Sequence, residues 1–250
     1  MGPEFTLEEV DVDGAIRETA HDMTEALEKE GDTRLEFLKK AGIAGGAMMG
    51  GGALLSTLLP SAAMANAIGK GRPPSSFGPG DIGILNFALT LEYLERDFYN
   101  EAAKNDRRGS GFITDKSLKN FLMAVVPDER KHVEFLEVAL GSSAVKNPQF
   151  QYGKATSNEK LFTALSYGLE NTGVGAYSGQ AFNITDPNNL AVALSIVTIE
   201  ARHSGLIGEI LKNQKGVAPY GAFDRALSAD EVLKAVAKTG LKSKRSIPSF

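Results

Sequence analysis

Residues 128–133, Asp-Glu-Arg-Lys-His-Val, and residues 200–203, Glu-Ala-Arg-His, each carry a Glu-x-x-His pair. On a helix, residues three apart share a face, about 5–6 Å between Cβ atoms. Each pair can therefore turn a carboxylate and an imidazole toward one point. Both pairs interrupt stripes that are otherwise apolar: Leu122, Val125, Glu129, His132 and Leu136, then Ala193, Ile196, Glu200, His203 and Ile207. Two further segments carry a lone Glu in the same way. One stripe is Leu85, Leu89, Glu92, Arg96 and Tyr99; the other is Thr163, Tyr167, Glu170, Val174 and Tyr177. Four inward carboxylates without compensation are severely destabilising. They either neutralise by a raised pKa or bind cations. Two divalent ions carry the matching positive charge.

The segments that hold these stripes read as helices. Residues 81–105 and 115–140 show apolar residues at helical spacing, and Pro127 should kink the second or break its ladder. Residues 157–180 open at Ser157 as N-cap, and residues 186–213 open with Asp186-Pro187, an N-cap followed by proline at the first helical position. A short fifth helix is expected near 228–238, where Ser228 and Glu231 have capping-box spacing. Strand signals are nearly absent. The order is Glu92…Tyr99, Glu129-x-x-His132, Glu170…Tyr177, Glu200-x-x-His203, with seven residues from Glu to Tyr both times. This is a helical hairpin written twice, and it predicts an all-α four-helix bundle with a pseudo-symmetric centre and a short C-terminal helix.

Composition narrows the chemistry. The chain of 250 residues has no Cys, which excludes disulfides, iron–sulfur clusters, Cys-zinc sites and a thiol nucleophile. Its 27 basic and 31 acidic side chains leave a net charge of −4, against nucleic-acid binding. The three histidines are His21, His132 and His203, and the last two are those of the repeated motif. His21 is read as having no chemical role.

The front third reads as separate from the bundle. Residues 1–5 resemble a cloning remnant, and residues 6–67 form a polar segment followed by a signal-like one. Thr33-Arg34-Leu35-Glu36-Phe37-Leu38-Lys39 resembles the twin-arginine export signal, with Leu35 where that pattern has its second arginine. Residues 41–69 carry no charge, and the stretch closes on small-x-small sequences at Ala63-Met64-Ala65 and Ala65-Asn66-Ala67. The run is also long enough for an uncleaved anchor, but rich in Gly for one. The expectation is export to the periplasm or cell surface. Residues 68–80, rich in Pro, Gly and Ser, read as a linker; 81–213 is the bundle and 214–250 a C-terminal extension.

The ordered ligand set, with Leu91-Glu92-Tyr93-Leu94-Glu95-Arg96-Asp97-Phe98-Tyr99 and Asp128-Glu129-Arg130-Lys131-His132-Val133, resembles the ferritin-like superfamily of di-iron and di-manganese carboxylate proteins. Within it, the chain resembles the bacterial exported ferritin-like domain group, some of whose members are named desiccation-related. The resemblance implies two Fe or two Mn ions. Glu92 and Glu170 would be terminal ligands, Glu129 and Glu200 bridges, and His132 and His203 one imidazole each. Oxygen and nitrogen donors of this kind suit Fe or Mn. Glu95 is a candidate extra carboxylate, with Gly173 in the corresponding place of the third helix. Tyr99 and Tyr177 would be nearby donors, radical-prone phenols or core packing. Arg96 and Arg202 adjoin the stripes.

By the same resemblance the function is redox handling of O2 or peroxide, or Fe(II) oxidation, as a ferroxidase, peroxidase or catalase-like oxidoreductase. The alternatives are a metal-stabilised, stress-protective protein and an iron store. The lack of Cys removes a rubredoxin-type iron centre, and with it a rubrerythrin with its own electron supply. The expected partners are metal ions and O2 or peroxide, the export machinery, and further copies of the chain in a homo-oligomer, with no nucleic acid.

Overall fold

The computed structural model describes residues 71–108, 111–211 and 216–247. The export-like segment, His21 and the first residues of the expected linker lie outside them. Four long helices form the bundle: α1 (Gly80–Asp106), α2 (Lys116–Leu140), α3 (Glu159–Gln180) and α4 (Pro187–Ile210). A short α5 (Ala229–Lys238) follows, and two-residue strands β1 (Phe150–Gln151) and β2 (Lys242–Ser243) pair antiparallel. The all-α architecture expected from the repeat is the one observed. α1 packs chiefly on α2, and α3 on α4, so each half of the repeat is a hairpin.

The helix starts are set by short polar side chains that accept the orphan N–H groups of a first turn. Asp115 accepts from the Leu118 N–H, Asp186 from the Asn188 N–H ahead of Pro187, and Ser228 with Glu231 forms the reciprocal capping box. At α3 the expected cap is displaced by one residue. Asn158, not Ser157, accepts from the Leu161 N–H, while Ser157 closes a preceding 3-10 turn. Pro127 lies inside α2. It leaves the Met123 carbonyl without its intrahelical donor, on a side of the helix where Met123 and Pro127 are exposed.

The segment read as linker packs from its first described residue. Phe77 is buried, and its carbonyl accepts from Asn86 Nδ2 at 2.9 Å. The Gly71 carbonyl accepts from Gln180 Nε2 and from the Ala229 N–H, tying the start of the domain to α3 and α5. Proline and glycine punctuate this stretch without freeing it, because one aromatic anchor and several backbone hydrogen bonds hold it down. At the other end, the Leu227 N–H donates to the Gly175 carbonyl at 2.9 Å, laying the tail along α3.

The core falls into two apolar clusters. One gathers Phe98, Tyr99, Phe121, Leu122, Val125 and Phe162; the other gathers Leu85, Leu89, Val133, Leu136, Tyr177 and Ile196. Each fully buried Leu or Phe contributes about 1.5–3 kcal/mol of transfer free energy. Along α1 the boundary between the clusters falls near Glu92, and along α2 at Glu129. The inward carboxylates sit where the apolar packing parts.

Candidate metal centre

Each of the four helices delivers its Glu to the bundle axis. Glu92, Glu129, Glu170 and Glu200 are all 0% exposed, and His132 and His203 are nearly so. Ligand atoms of Glu92, Glu129, His132 and Glu200 lie within 4.8 Å of one another, and so do those of Glu129, Glu170, Glu200 and His203. The two tetrads share Glu129 and Glu200. All six residues singled out by the repeat are thus brought to one place, as two overlapping sets.

The imidazoles turn the same nitrogen inward. His132 Nδ1 is 3.2 Å from Glu92 Oε2, 3.2 Å from Glu200 Oε1 and 3.4 Å from Glu129 Oε2. His203 Nδ1 is 3.1 Å from Glu129 Oε1 and 3.3 Å from Glu170 Oε2. The latter two approaches are close enough for ion pairs but are not aligned as hydrogen bonds, since His203 Nδ1 is buried without a hydrogen-bond partner. The same holds for both oxygens of Glu129 and Glu200 and for Glu170 Oε2. An unsatisfied buried polar atom costs about 1–3 kcal/mol. So many lone pairs converging on one volume fit a multivalent cation far better than an empty interior, and the donor set of carboxylate oxygens and imidazole nitrogens suits Fe or Mn.

Electrostatics point the same way. Burial pushes the Glu129 carboxyl up to about 7, although His132 and His203 pull it down. Glu200 is held well above the usual carboxylate range by burial and by the charge of Glu129. Burial opposes a charge on His203, but Glu129 and Glu170 outweigh it and lift the imidazole to about 11. His132 is raised for the same reason, against its own burial, by Glu129, Glu200 and Glu92. Protons and imidazolium charge therefore offset the negative charge of these carboxylates.

The two tyrosines reach across the bundle. Tyr177 Oη donates to Glu92 Oε1 at 2.5 Å, and Tyr99 Oη donates to Glu170 Oε1. Each phenol thus serves the carboxylate of the other hairpin. Burial and the adjacent carboxylate push both phenols well above their ordinary range, so they remain donors. The ring of Tyr99 is held edge-on by Phe121 and Phe162.

Glu95 is 2% exposed but belongs to neither tetrad. Its Oε1 has no hydrogen-bond partner and lies 3.6 Å from where a Cβ on Gly173 would stand. That same Cβ would meet Glu200 Oε2 at 2.8 Å, so Gly173 leaves the room these carboxylates occupy. Burial and then Glu200 push the Glu95 carboxyl well up. Arg96 and Arg202 do not turn inward: Arg96 pairs with Asp97 at 2.7 Å and lies over the Tyr93 ring, and Arg202 donates to the Thr198 carbonyl.

Sequence reasoning passed over Asp128. Its Oδ2 is 3.1 Å from His203 Nε2, so this carboxylate holds the outer nitrogen of a ring whose inner nitrogen faces the site. Asp128 directly precedes Glu129 in the quoted motif, but its partner depends on how α2 sits against α4, which spacing along one helix does not give.

A family model described as Ferritin-like domain matches residues 80–213, more than half of the chain and all four bundle helices. No curated protein matches the chain in a sequence comparison.

Proposed function

The chain belongs to the ferritin-like domain family, and from that premise we propose that it is a two-metal carboxylate protein, loaded with Fe or Mn, that handles O2 or peroxide or oxidises Fe(II). The observation that carries the reading is the pair of overlapping tetrads sharing Glu129 and Glu200. Glu129 and Glu200 would be shared between the two ions, Glu92 with His132 would complete one position, and Glu170 with His203 the other. Two redox-active ions held there would supply the electron-transfer capacity for O2, peroxide or Fe(II) chemistry.

The protein's own share is positioning and exclusion of water. Tyr177 and Tyr99 hold one oxygen of Glu92 and of Glu170 in place, leaving the other oxygen to face inward. The apolar clusters above and below keep the centre dry. The leader, with its Thr33–Lys39 motif, supports an exported location and membership of the exported group named in part for desiccation. We take the working form to be a homo-oligomer with no nucleic-acid partner. A second reading, metal as a structural clamp in a stress-protective protein, draws on the same cluster: buried carboxylates of one sign destabilise the bundle until a cation arrives. Iron storage would need a many-subunit shell.

Elemental analysis of the protein purified from its own source, followed by peroxide-decay and Fe(II)-oxidation assays, separates these readings. Two Fe or Mn per chain with turnover supports the redox reading; two ions without turnover supports the clamp; a shell-sized particle in a size measurement supports storage. Glu129→Ala and His203→Ala are each expected to lose stoichiometric two-ion binding. A folded wild-type chain that takes up neither Fe nor Mn refutes the metal reading altogether.

A further inference from the structure

We infer that the two metal positions are unequal, the one served by Glu170 and His203 being the tighter, because Asp128 is a positioning residue for His203 and, among the described residues, His132 has no counterpart to it. This rests on the two-metal reading above and adds to it an order of filling. The duplicated motif makes the comparison direct. Glu129-x-x-His132 aligns with Glu200-x-x-His203, so the residue before each Glu is Asp128 in one copy and Ile199 in the other. Asp128 on α2 crosses to His203 on α4, where Oδ2 meets Nε2 at 3.1 Å. By the same pseudo-symmetry, Ile199 is the residue of α4 that corresponds to it for His132 on α2, and its hydrocarbon side chain accepts no hydrogen bond. The carboxylate contacts of His132 are all at Nδ1.

The consequence follows from how an imidazole binds a metal. The ligating nitrogen must offer a lone pair, so the proton must reside on the other nitrogen. An Nε2–H donated to Asp128 fixes the ring plane and keeps that proton on Nε2 when Nδ1 turns its lone pair to an ion. His132 is oriented through Nδ1 alone, and none of those contacts holds a proton on its Nε2. Removing such an outer partner typically lowers metal affinity 10–100-fold, which sets the expected gap between the positions. Mutual repulsion of two dications widens the gap but does not decide which position fills first; Asp128 does.

The test uses the full chain, stripped with chelator and titrated with Mn(II). His203→Ala is expected to weaken the first Mn(II) binding step and His132→Ala the second, each read by calorimetric titration. Asp128→Ala should abolish that order and weaken the first binding step 10–100-fold. The Asp128 side chain is 46% exposed, so its truncation leaves the core closed, and a thermal melt verifies folding. Asp128→Asn, which keeps an acceptor oxygen, should recover part of the first-step affinity. A first binding step weakened equally by His203→Ala and His132→Ala overturns the inference, as does an Asp128→Ala variant with unchanged order and affinity. An Asn variant no better than Ala overturns the hydrogen-bond argument. In each of these cases two ions still bind and the metal reading stands; a wild type that binds no Mn(II) sinks both.

Discussion

The metal-free protein should lose stability as pH rises from 5 to 8, the reverse of the trend produced by ordinary paired carboxylates. Glu129 has a native pKa of about 7 against 4.5 when unperturbed. A carboxyl whose native value is raised contributes stability below its unfolded value and loses it as pH climbs through the native one. One pKa unit corresponds to ~1.4 kcal/mol, so Glu129 alone removes about 3 kcal/mol between pH 4.5 and neutrality. His203, raised from 6.5 to about 11, runs in the same direction above pH 6.5. The lowered carboxylates Asp81, Glu134, Glu159 and Glu231 act only below their unfolded values, outside the window. At roughly 2–4 °C per kcal/mol for a chain of this size, the melting temperature should fall by about 6–12 °C. Saturating Mn(II) binds the ionised carboxylates and releases their protons, so the loaded protein should show a flat or rising profile. Calorimetric melts at pH 5, 6, 7 and 8, in chelator and in Mn(II), read both. Glu129→Gln should remove only the share of Glu129 from the metal-free slope, leaving that of Glu200, Glu95 and His203. A metal-free melting temperature that is constant or rises with pH would refute the account of the buried carboxylates. So would a metal-induced gain that is the same at pH 5 and pH 8.

Three substitutions probe the surroundings of the centre. Gly173→Ala places a Cβ 2.8 Å from Glu200 Oε2, so it should lower Mn(II) stoichiometry or affinity in an EPR titration while the circular dichroism spectrum is kept; unchanged binding would mean that Glu200 can yield without consequence. Tyr177→Phe removes the 2.5 Å bond to Glu92; a hydrogen bond to a charged group is worth about 1.5–3 kcal/mol, and a urea midpoint unchanged from wild type would contradict that role. Gly179→Ala sets a Cβ 1.8 Å from the Leu227 carbonyl oxygen, a backbone atom with no side-chain freedom to move. Overpacking of this kind costs about 1–3 kcal/mol, and limited proteolysis should then cut the tail before α5; an equally resistant variant would show that the tail does not depend on this contact.

How much of this was legible in the sequence depended on whether a feature lived on one helix or between two. The apolar stripes, the inward Glu and the Glu-x-x-His pairs follow from the helical period alone, and the duplicated order adds the pseudo-symmetry. The direction in which the tyrosines point was within reach but not taken. Seven residues are about 10 Å along a helix axis, too far for Tyr99 to reach its own Glu92, so crossing to the other hairpin is the geometric alternative. Asp128 needed the register of α2 against α4, which no single-helix pattern contains. The packing of residues 71–80 is hidden in composition, because Pro and Gly outnumber the one aromatic, Phe77, that anchors the stretch. At α3, Ser157 and Asn158 are comparable caps, and one residue of helical phase decides between them.

The glycines of α3 give the last link between sequence and site. Each glycine inside a helix costs about 1 kcal/mol relative to alanine, yet α3 carries Gly168, Gly173, Gly175 and Gly179. Three of the four have a visible structural purpose. Gly175 and Gly179 let the Leu227 segment lie directly on the helix, where a Cβ would stand 2.6 Å from Leu227 Cδ1 or 1.8 Å from its carbonyl oxygen. Gly173 faces the other way and clears space for Glu200 and Glu95. Gly168 has nothing within 4 Å of a built Cβ, and no feature of the structure explains it. In the first hairpin the residue corresponding to Gly173 is Glu95 itself. The repeat is therefore broken in a complementary way: one copy adds a buried carboxylate and the other removes the side chain that would have filled its place. A helix weakened by glycine persists because its partners on both sides, the tail and the carboxylate cluster, require the missing atoms to be missing.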